Sequence, residues 1–201
     1  MTARTTVLDA VNQMLSCIGG AAVTTLDTDN PEVFTAKAIL EETTRNVLAE
    51  GWNFNTELEY PFVRQTDNTI AIPDNLISFT LSFAKHAGDK NLVVERNGKF
   101  YDKEQHKYEF TQTLYCDVVW SFDFDECPQP YREYITARAS RIYASRLVSS
   151  EELVELISAD EATTRAVCIE YDTQTAKPNI FGMQDGINRY STYQPYRTLI
   201  R

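Results

Sequence analysis

The sequence predicts an α+β fold: a four-helix bundle with an inserted, mostly antiparallel β subdomain, followed by an extended C-terminal tail. Two stretches with helical spacing of apolar residues precede a run of short alternating segments, and two more follow that run. After residue 172 no periodicity persists. The predicted parts are 1–55 (first part of the helical body), 56–126 (inserted β subdomain), 127–172 (second part of the helical body) and 173–201 (tail).

The first two helices are recognised by periodicity and by their end residues. Apolar residues recur at helical spacing between residues 6 and 18. The second helix is predicted to begin at Asn30-Pro31, because asparagine caps a helix and proline fits its first turn. Gly51 suits the left-handed position that commonly follows a helix, so we expect the second helix to end there.

Alternation of apolar and polar residues predicts the strands. Asn97-Gly98 can adopt the positive φ angles of a type I′ turn, which indicates a hairpin at this pair. The apolar residues expected to share a face are Leu58, Tyr60 and Phe62; Ile77, Phe79, Leu81 and Phe83; and Leu114, Cys116, Val118 and Trp120.

Helical spacing resumes after the strands. Pro128 and Pro130 suit the start of the third helix, and Ser149 with Glu152 forms a plausible capping box for the fourth, which is expected to end near Asp172. The apolar face of the third helix is predicted to contain Tyr131, Ile135, Ala139 and Ile142.

Composition limits the possible functions. The 201 residues have a net charge of −10, whereas a protein built to bind DNA usually presents a dominant basic face. The charge is uneven, since residues 173–201 carry a net +3. The four cysteines contain no C-x-x-C pair, so free buried thiols are expected. Without a signal-peptide pattern or a membrane-length apolar run, we expect a soluble protein made in the cytoplasm.

The stretch GWNFN, residues 51–55, alternates two large aromatic residues with two asparagines where helix gives way to strand. The two chain crossings of an inserted subdomain lie close in space. We therefore expect Trp52 and Phe54 to pack against Phe122 and Phe124 and to act as a structural hinge that sets the direction of the insertion.

No catalytic, cofactor-binding or metal-binding set stands out. Both histidines lie in polar, loop-like settings, and the sequence has no nucleophile elbow, phosphate-binding loop or H-E-x-x-H motif. One alternative remains open, because Asp123 and Asp125 fall on one side of a predicted strand and paired carboxylates can cleave glycosides. A solvated strand face is the commoner origin of such a pattern.

Two groups of residues are candidates for binding a partner protein. The arginines of the third helix either pair with acids of the chain such as Glu133, Glu151 and Glu155 or meet an acidic partner; they are Arg132, Arg138, Arg141 and Arg146. Tyrosine and arginine are enriched at the centres of protein interfaces. The tail offers Arg189, Tyr190, Tyr193, Tyr196 and Arg197.

Four stretches in the same order resemble the tail tubular protein A family, the head-to-tail adaptor or gatekeeper proteins of short-tailed, podovirus-type bacteriophages. These stretches are AVNQMLSCIGGAAVTTLD (10–27), NVLAEGWNFNTE (46–57), RNGKFYD (96–102) and DFDECPQPYREYITARASRIYASRL (123–147). The resemblance runs from about residue 7 to residue 171, and the tail is its weakest part.

The resemblance implies a structural protein of the virion, made and assembled in the host cytoplasm. It implies a ring of twelve copies beneath the portal protein, with the helices toward the portal and the β part toward the tail nozzle (tubular B) protein. The ring extends the channel through which genomic DNA passes without sequence-specific binding, and gatekeeper loops help to retain the DNA before ejection. No cofactor and no membrane are implied. Beside the glycan-degrading alternative, a generic interaction domain that binds a peptide at its sheet edge also remains open.

Overall fold

A computed structural model of the chain confirms the α+β class. It describes residues 4–27, 29–82, 85–86, 92–148 and 150–176, together with the backbone of 183–184 and 187–188. The helices are α1 (Val7–Cys17), α2 (Pro31–Leu48), α3 (Gln129–Leu147) and α4 (Glu151–Ala176). The strands are β1 (Thr56–Phe62), β2 (Leu76–Leu81), β3 (Val93–Arg96), β4 (Lys99–Asp102), β5 (Leu114–Trp120), β6 (Met183–Gln184) and β7 (Ile187–Asn188).

Side-chain caps fix the starts of the first two helices. The Thr6 hydroxyl accepts from the Asp9 N–H and the Asp9 carboxylate accepts from the Thr6 N–H, which is a capping box. The Asn30 side chain accepts from the Glu32 N–H at 2.9 Å, as the sequence predicts. After α2 the chain passes through Gly51 at φ +75°, the left-handed conformation expected there.

The fourth helix extends beyond its predicted end. The expected cap Ser149 lies outside the described residues, and the neighbouring Ser150 hydroxyl accepts from the Leu153 N–H at 3.4 Å. The helix continues beyond Asp172 to Ala176. Its last turn is polar and exposed apart from Ala176, so no apolar period marks it in the sequence.

Among the described residues, five strands lie between α2 and α3, in the order that an insertion into a helical body requires. In the three-stranded sheet β5 is central, antiparallel to β1 on one side and to β2 on the other. Burial alternates along the whole of β5, which confirms the predicted face. The β3–β4 hairpin also turns where predicted, with φ +54° at Asn97 and +66° at Gly98.

The predicted face of β1 was wrong at Leu58, which is 54% exposed. Glu57 pairs with Val118 and Tyr60 with Cys116, so a bulge sets two residues of β1 against one of β5. The bulged residue Glu59 has φ +56°, and its N–H donates to the Asp117 carboxylate.

A second bulge lies in β2, between Leu76 and Ser78. Ile77 packs against the helical core, whereas Phe79 packs with the sheet core, so the two do not share one environment as the alternation suggested. Phe83, expected on the same face, lies outside the described residues.

The structure has two apolar cores. One is formed mainly by α1, α2 and α3 and receives Cys168 from α4, and the other fills the β region. Phe122, on the segment that returns from β5 to α3, packs against both. The region between the cores is therefore the place where the two parts of the protein are held together.

Candidate functional site

Trp52 is anchored at the point where the chain leaves α2. Its indole N–H donates to the Val47 carbonyl at 2.8 Å. Its ring meets Tyr131 and Tyr134 of α3 edge-on, with centroid distances of 5.2 and 6.3 Å. Trp52 thus joins the end of α2 to the start of α3. Its ring partners are these two tyrosines, although Phe124, the partner expected from the sequence, belongs to the same core.

Phe54 forms the contact that the sequence predicts. Its ring centroid lies 6.0 Å from that of Phe122 on the returning segment and 4.4 Å from that of Tyr131 on α3. One half-buried ring therefore contacts both the returning crossing and the helical body. This placement suits the expected hinge role, which remains a proposal.

Asn55 is the residue at this junction that sequence reasoning missed. It is fully buried, and its side-chain N–H₂ group donates to the carbonyls of Leu48 and Trp120, each at 2.9 Å. Its side-chain oxygen accepts from the Trp52 N–H at 2.8 Å. A buried amide with all three side-chain bonds made specifies one geometry, because any displacement leaves polar groups unpaired. The available signal was an asparagine directly after an aromatic residue, close to a helix end.

Arg132 also stabilises the junction between the helical part and the β part. Its side chain is only 4% exposed, and its guanidinium donates to three backbone carbonyls, those of Thr5, Asp125 and Cys127. Arg132 Nη1 lies 3.6 Å from the Asp125 carboxylate. We therefore correct the sequence-based expectation for this arginine: it ties the start of α3 to the segments before α1 and after β5, and it offers no exposed guanidinium to a partner.

Arg138 lies in a network that joins α3, α4 and the residues just after α2. It contacts Glu50 at 2.7 Å, and Arg165 of α4 contacts the other oxygen of the same carboxylate at 3.0 Å. Both arginines also donate to the Tyr134 hydroxyl. Glu50 thus lies between two cations, and the network joins the end of α2 to α3 and α4.

The remaining arginines of α3 pair within the chain as well. Arg141 pairs with Glu161 of α4, and Arg146 makes two hydrogen bonds to Glu42 of α2, at 2.9 and 3.1 Å. Hydrogen bonding to Arg146 and its charge lower the pKa of the Glu42 carboxyl. Pairing was one of the two expectations, but the acids differ from those suggested by the sequence. Acids on neighbouring helices are the partners because α3 packs between α2 and α4.

The two carboxylates of the glycan-cleaving alternative are not arranged as expected. Phe124–Glu126 is a 3-10 turn rather than strand, so the argument that placed Asp123 and Asp125 on one side of a strand was wrong. The Asp123 N–H donates a hydrogen bond to the Glu126 carboxylate, and the Asp125 carboxylate lies beside the Arg132 guanidinium. These contacts give both residues local structural roles.

Three of the four cysteines are buried. Burial raises the pKa of the thiols of Cys116, Cys127 and Cys168 to about 12. Within the described part of the chain, no group of three or more histidine, cysteine, aspartate or glutamate residues could hold a metal ion. No helix among the described residues is both long and apolar enough to cross a membrane.

The second predicted binding group lies outside the described residues, since only the backbone of β6 and β7 is described beyond residue 176. This group comprises Arg189, Tyr190, Tyr193, Tyr196 and Arg197.

A family model described as "Tube: Tail tubular protein" matches residues 8–178, from the second residue of α1 to just beyond α4. The match therefore includes the four helices, strands β1 to β5 and the junction at Trp52, Phe54 and Asn55. No curated protein matches the chain.

Proposed function

The chain belongs to the tail tubular protein family, whose members are structural components of phage tails, and from this membership we propose that it is the head-to-tail adaptor of a short-tailed phage. Twelve copies form a ring between the portal protein and the tail nozzle protein, and the ring continues the DNA channel. The family match over residues 8–178 is the observation that carries the proposal.

The two-part architecture supports an adaptor role. A component that joins two different neighbours needs two surfaces with a fixed relative orientation. Here a helical part and a β part have separate cores, and Asn55 and Arg132 hold the crossings between them. We propose that the helices face the portal and the β part faces the nozzle.

The charge of the chain suits a channel for DNA. Twelve copies at −10 each carry about 120 negative charges. Because DNA phosphates are repelled by a wall of the same sign, the genome can slide along such a channel without binding to it. Passage of DNA during ejection requires this lack of adhesion. Before ejection, the gatekeeper loops would retain the DNA by blocking the channel sterically rather than by binding the phosphates.

The proposed contacts with other proteins concentrate in residues 177–201. Arg138 and Arg141 already pair with Glu50 and Glu161, so an acidic partner would have to displace those carboxylates. The arginines and tyrosines after residue 188 are the remaining members of the predicted set, and they bring positive charge to an otherwise acidic chain. We propose that this segment supplies the main protein-binding residues.

Native mass spectrometry of the full chain mixed with the portal protein of the same genome tests the proposal. We expect one complex with a fixed number of copies, twelve of this chain for each portal ring. Arg189→Gln with Arg197→Gln should reduce the number of copies bound. Arg64→Gln with Lys103→Gln, which removes the same charge from exposed positions of the β part, should not. Absence of any complex at near-physiological salt would overturn the adaptor role.

A further inference from the structure

Helix α4 has two apolar stripes, and only one of them is covered. Ile157 and Cys168 are buried against the rest of the helical body. Leu156 and Val167 are 70% and 47% exposed. Each pair is eleven residues apart, which is about three helical turns, so each pair lies on one line along the helix. With Thr163 between them, Leu156 and Val167 form what we name the outer stripe.

The outer stripe is flanked by acids. Glu152, Asp160 and Glu170 stand three or four residues from Leu156 or Val167, all three are exposed, and none forms a salt bridge within the described residues. Seven acids and one arginine give the helix a net charge of −6. A surface that combines exposed apolar side chains with uncompensated acids fits a partner that is both apolar and basic.

The chain itself contains a segment that is both basic and rich in aromatic residues. Residues 177–201 carry a net +3 and contain Phe181 and three tyrosines, and we name them the basic segment. The family match ends at residue 178, so nearly all of the basic segment lies beyond it. Tyr190 to Tyr196 would span about 20 Å if extended, and the outer stripe from Leu156 to Val167 is about 17 Å long.

A crevice beside the outer stripe could receive an aromatic side chain. It has a volume of about 420 Å³ and lies between α4, α3 and the first residues of the chain. Its lining is mixed and includes the polar residues Glu133, Asp160 and Thr163 beside Ala137. Carboxylates in these positions can accept a hydrogen bond from a tyrosine hydroxyl while the phenyl ring fills the space.

We propose that the basic segment of one copy binds along the outer stripe of α4 in the next copy, with tyrosines against Leu156 and Val167 and arginines against the flanking acids. The proposal rests on the ring of the proposed function. In a ring each copy gives its segment to one neighbour and receives one from the other, and the same contact repeats until the ring closes. The segment would then bridge subunits instead of folding back on its own helix.

Photo-crosslinking in a mixture of ¹⁵N-labelled and unlabelled chains distinguishes binding to the next copy from folding back on the same copy. Full-length chain with p-benzoylphenylalanine in place of Tyr193 is mixed with an equal amount of ¹⁵N-labelled unmodified chain, alone and with the portal protein. We expect crosslinks from the unlabelled basic segment to labelled α4 peptides near residues 156–167. Crosslinks confined to unlabelled α4 would mean that the segment binds its own copy, and crosslinks to other surfaces, or none, would equally overturn the proposal.

Two sets of substitutions that change the net charge equally test whether the acids of α4 pair with the basic segment. Glu152→Gln, Asp160→Asn and Glu170→Gln together should reduce the yield of crosslinks between copies about tenfold, because three attractive charge contacts are lost. Glu95→Gln, Glu104→Gln and Glu109→Gln change the net charge equally on exposed positions of the β part and should have no effect. An unchanged yield in the α4 variant would contradict the charge pairing. A portal complex without α4 crosslinks would refute this contact while leaving the adaptor function standing.

Discussion

Asn55 and Trp120 exchange two hydrogen bonds across 65 residues of chain. The Asn55 side-chain amide donates to the Trp120 carbonyl at 2.9 Å, and the Trp120 N–H donates to the Asn55 carbonyl at 2.8 Å. The same side chain also bonds Leu48 at the end of α2. One buried asparagine therefore ties the last residue of the central strand to the helix that precedes the insertion, and the direction of the β part depends on it.

Asn55→Ala should destabilise the protein by about 2–4 kcal/mol, because it removes three hydrogen bonds and leaves the buried Trp52 N–H without its acceptor. Chemical denaturation monitored by tryptophan fluorescence measures the change. Asn53→Ala is the control, since the Asn53 side chain is exposed and only its backbone N–H is bonded, to Asp172. Equal stabilities of the two variants would contradict the role assigned to Asn55.

Phe54→Ala should loosen the orientation of the β part relative to the helices while each part stays folded. Phe54 is the ring that contacts both Phe122 and Tyr131, and neither core depends on it alone. Residual dipolar couplings of the native chain should fit one alignment tensor, and those of the variant should need two. Phe34→Ala removes the same side chain from a 77% exposed position and should keep a single tensor. A single tensor in Phe54→Ala would refute the hinge role.

Local rules predicted the parts of the fold that depend on neighbouring residues. The Asn97-Gly98 turn, the start of α2 at Asn30 and the alternating burial of β5 are all present. Each depends on φ preferences, capping or a period of two, and these act within a few residues.

Features that depend on distant parts of the chain were missed. The bulge that exposes Leu58 is stabilised by Asp117 of the partner strand, and burial of Arg132 requires a carbonyl from Thr5. No window of sequence contains both members of such a contact, which is why the exposed α3 arginine surface was overestimated.

Arg132→Met should cost about 3–5 kcal/mol, because the three carbonyls that its guanidinium bonds lose a charged donor inside the protein. For a chain of this size, thermal unfolding should shift down by about 6–20 °C. Arg45→Met, at an exposed position of α2, should shift it by a degree or two at most. A small effect at Arg132 would mean that the crossing segments are held by other contacts.

The buried thiols should make the protein sensitive to alkali. Because burial raises the pKa of Cys116, Cys127 and Cys168 from 9.0 to about 12, the native state keeps protons that the unfolded state loses above about pH 9. Their contribution to stability is therefore complete below pH 9 and is lost as the pH rises toward 12. Tyr131 acts in the same direction, since burial and its bond to Asp172 raise its pKa. Denaturation curves at pH 8, 9.5 and 11 should show this fall.

The same burial predicts slow thiol chemistry. A disulfide-exchange reagent at pH 8 should modify at most Cys17 in the native chain and all four cysteines after unfolding. Cys17→Ser should leave no rapidly reacting thiol. Rapid modification of two or more native cysteines would show that the cores open more readily than their packing indicates.

Thr43 and Thr44 provide a matched pair of substitutions within α2. The Thr43 hydroxyl is buried without a hydrogen-bond partner among the described residues, whereas the Thr44 hydroxyl donates to the Leu40 carbonyl at 2.8 Å. Replacing Thr43 by valine keeps the shape of the side chain and removes an unpaired polar group, so it should stabilise the protein by about 1–2 kcal/mol. Thr44→Val removes a made bond and should destabilise it by about 0.5–1.5 kcal/mol. Because the two residues are adjacent on one helix, propensity and chain position are nearly equal in the two variants. Denaturant midpoints that move in opposite directions would therefore report on hydrogen bonding alone, and a loss of stability in Thr43→Val would reveal an unseen partner for that hydroxyl.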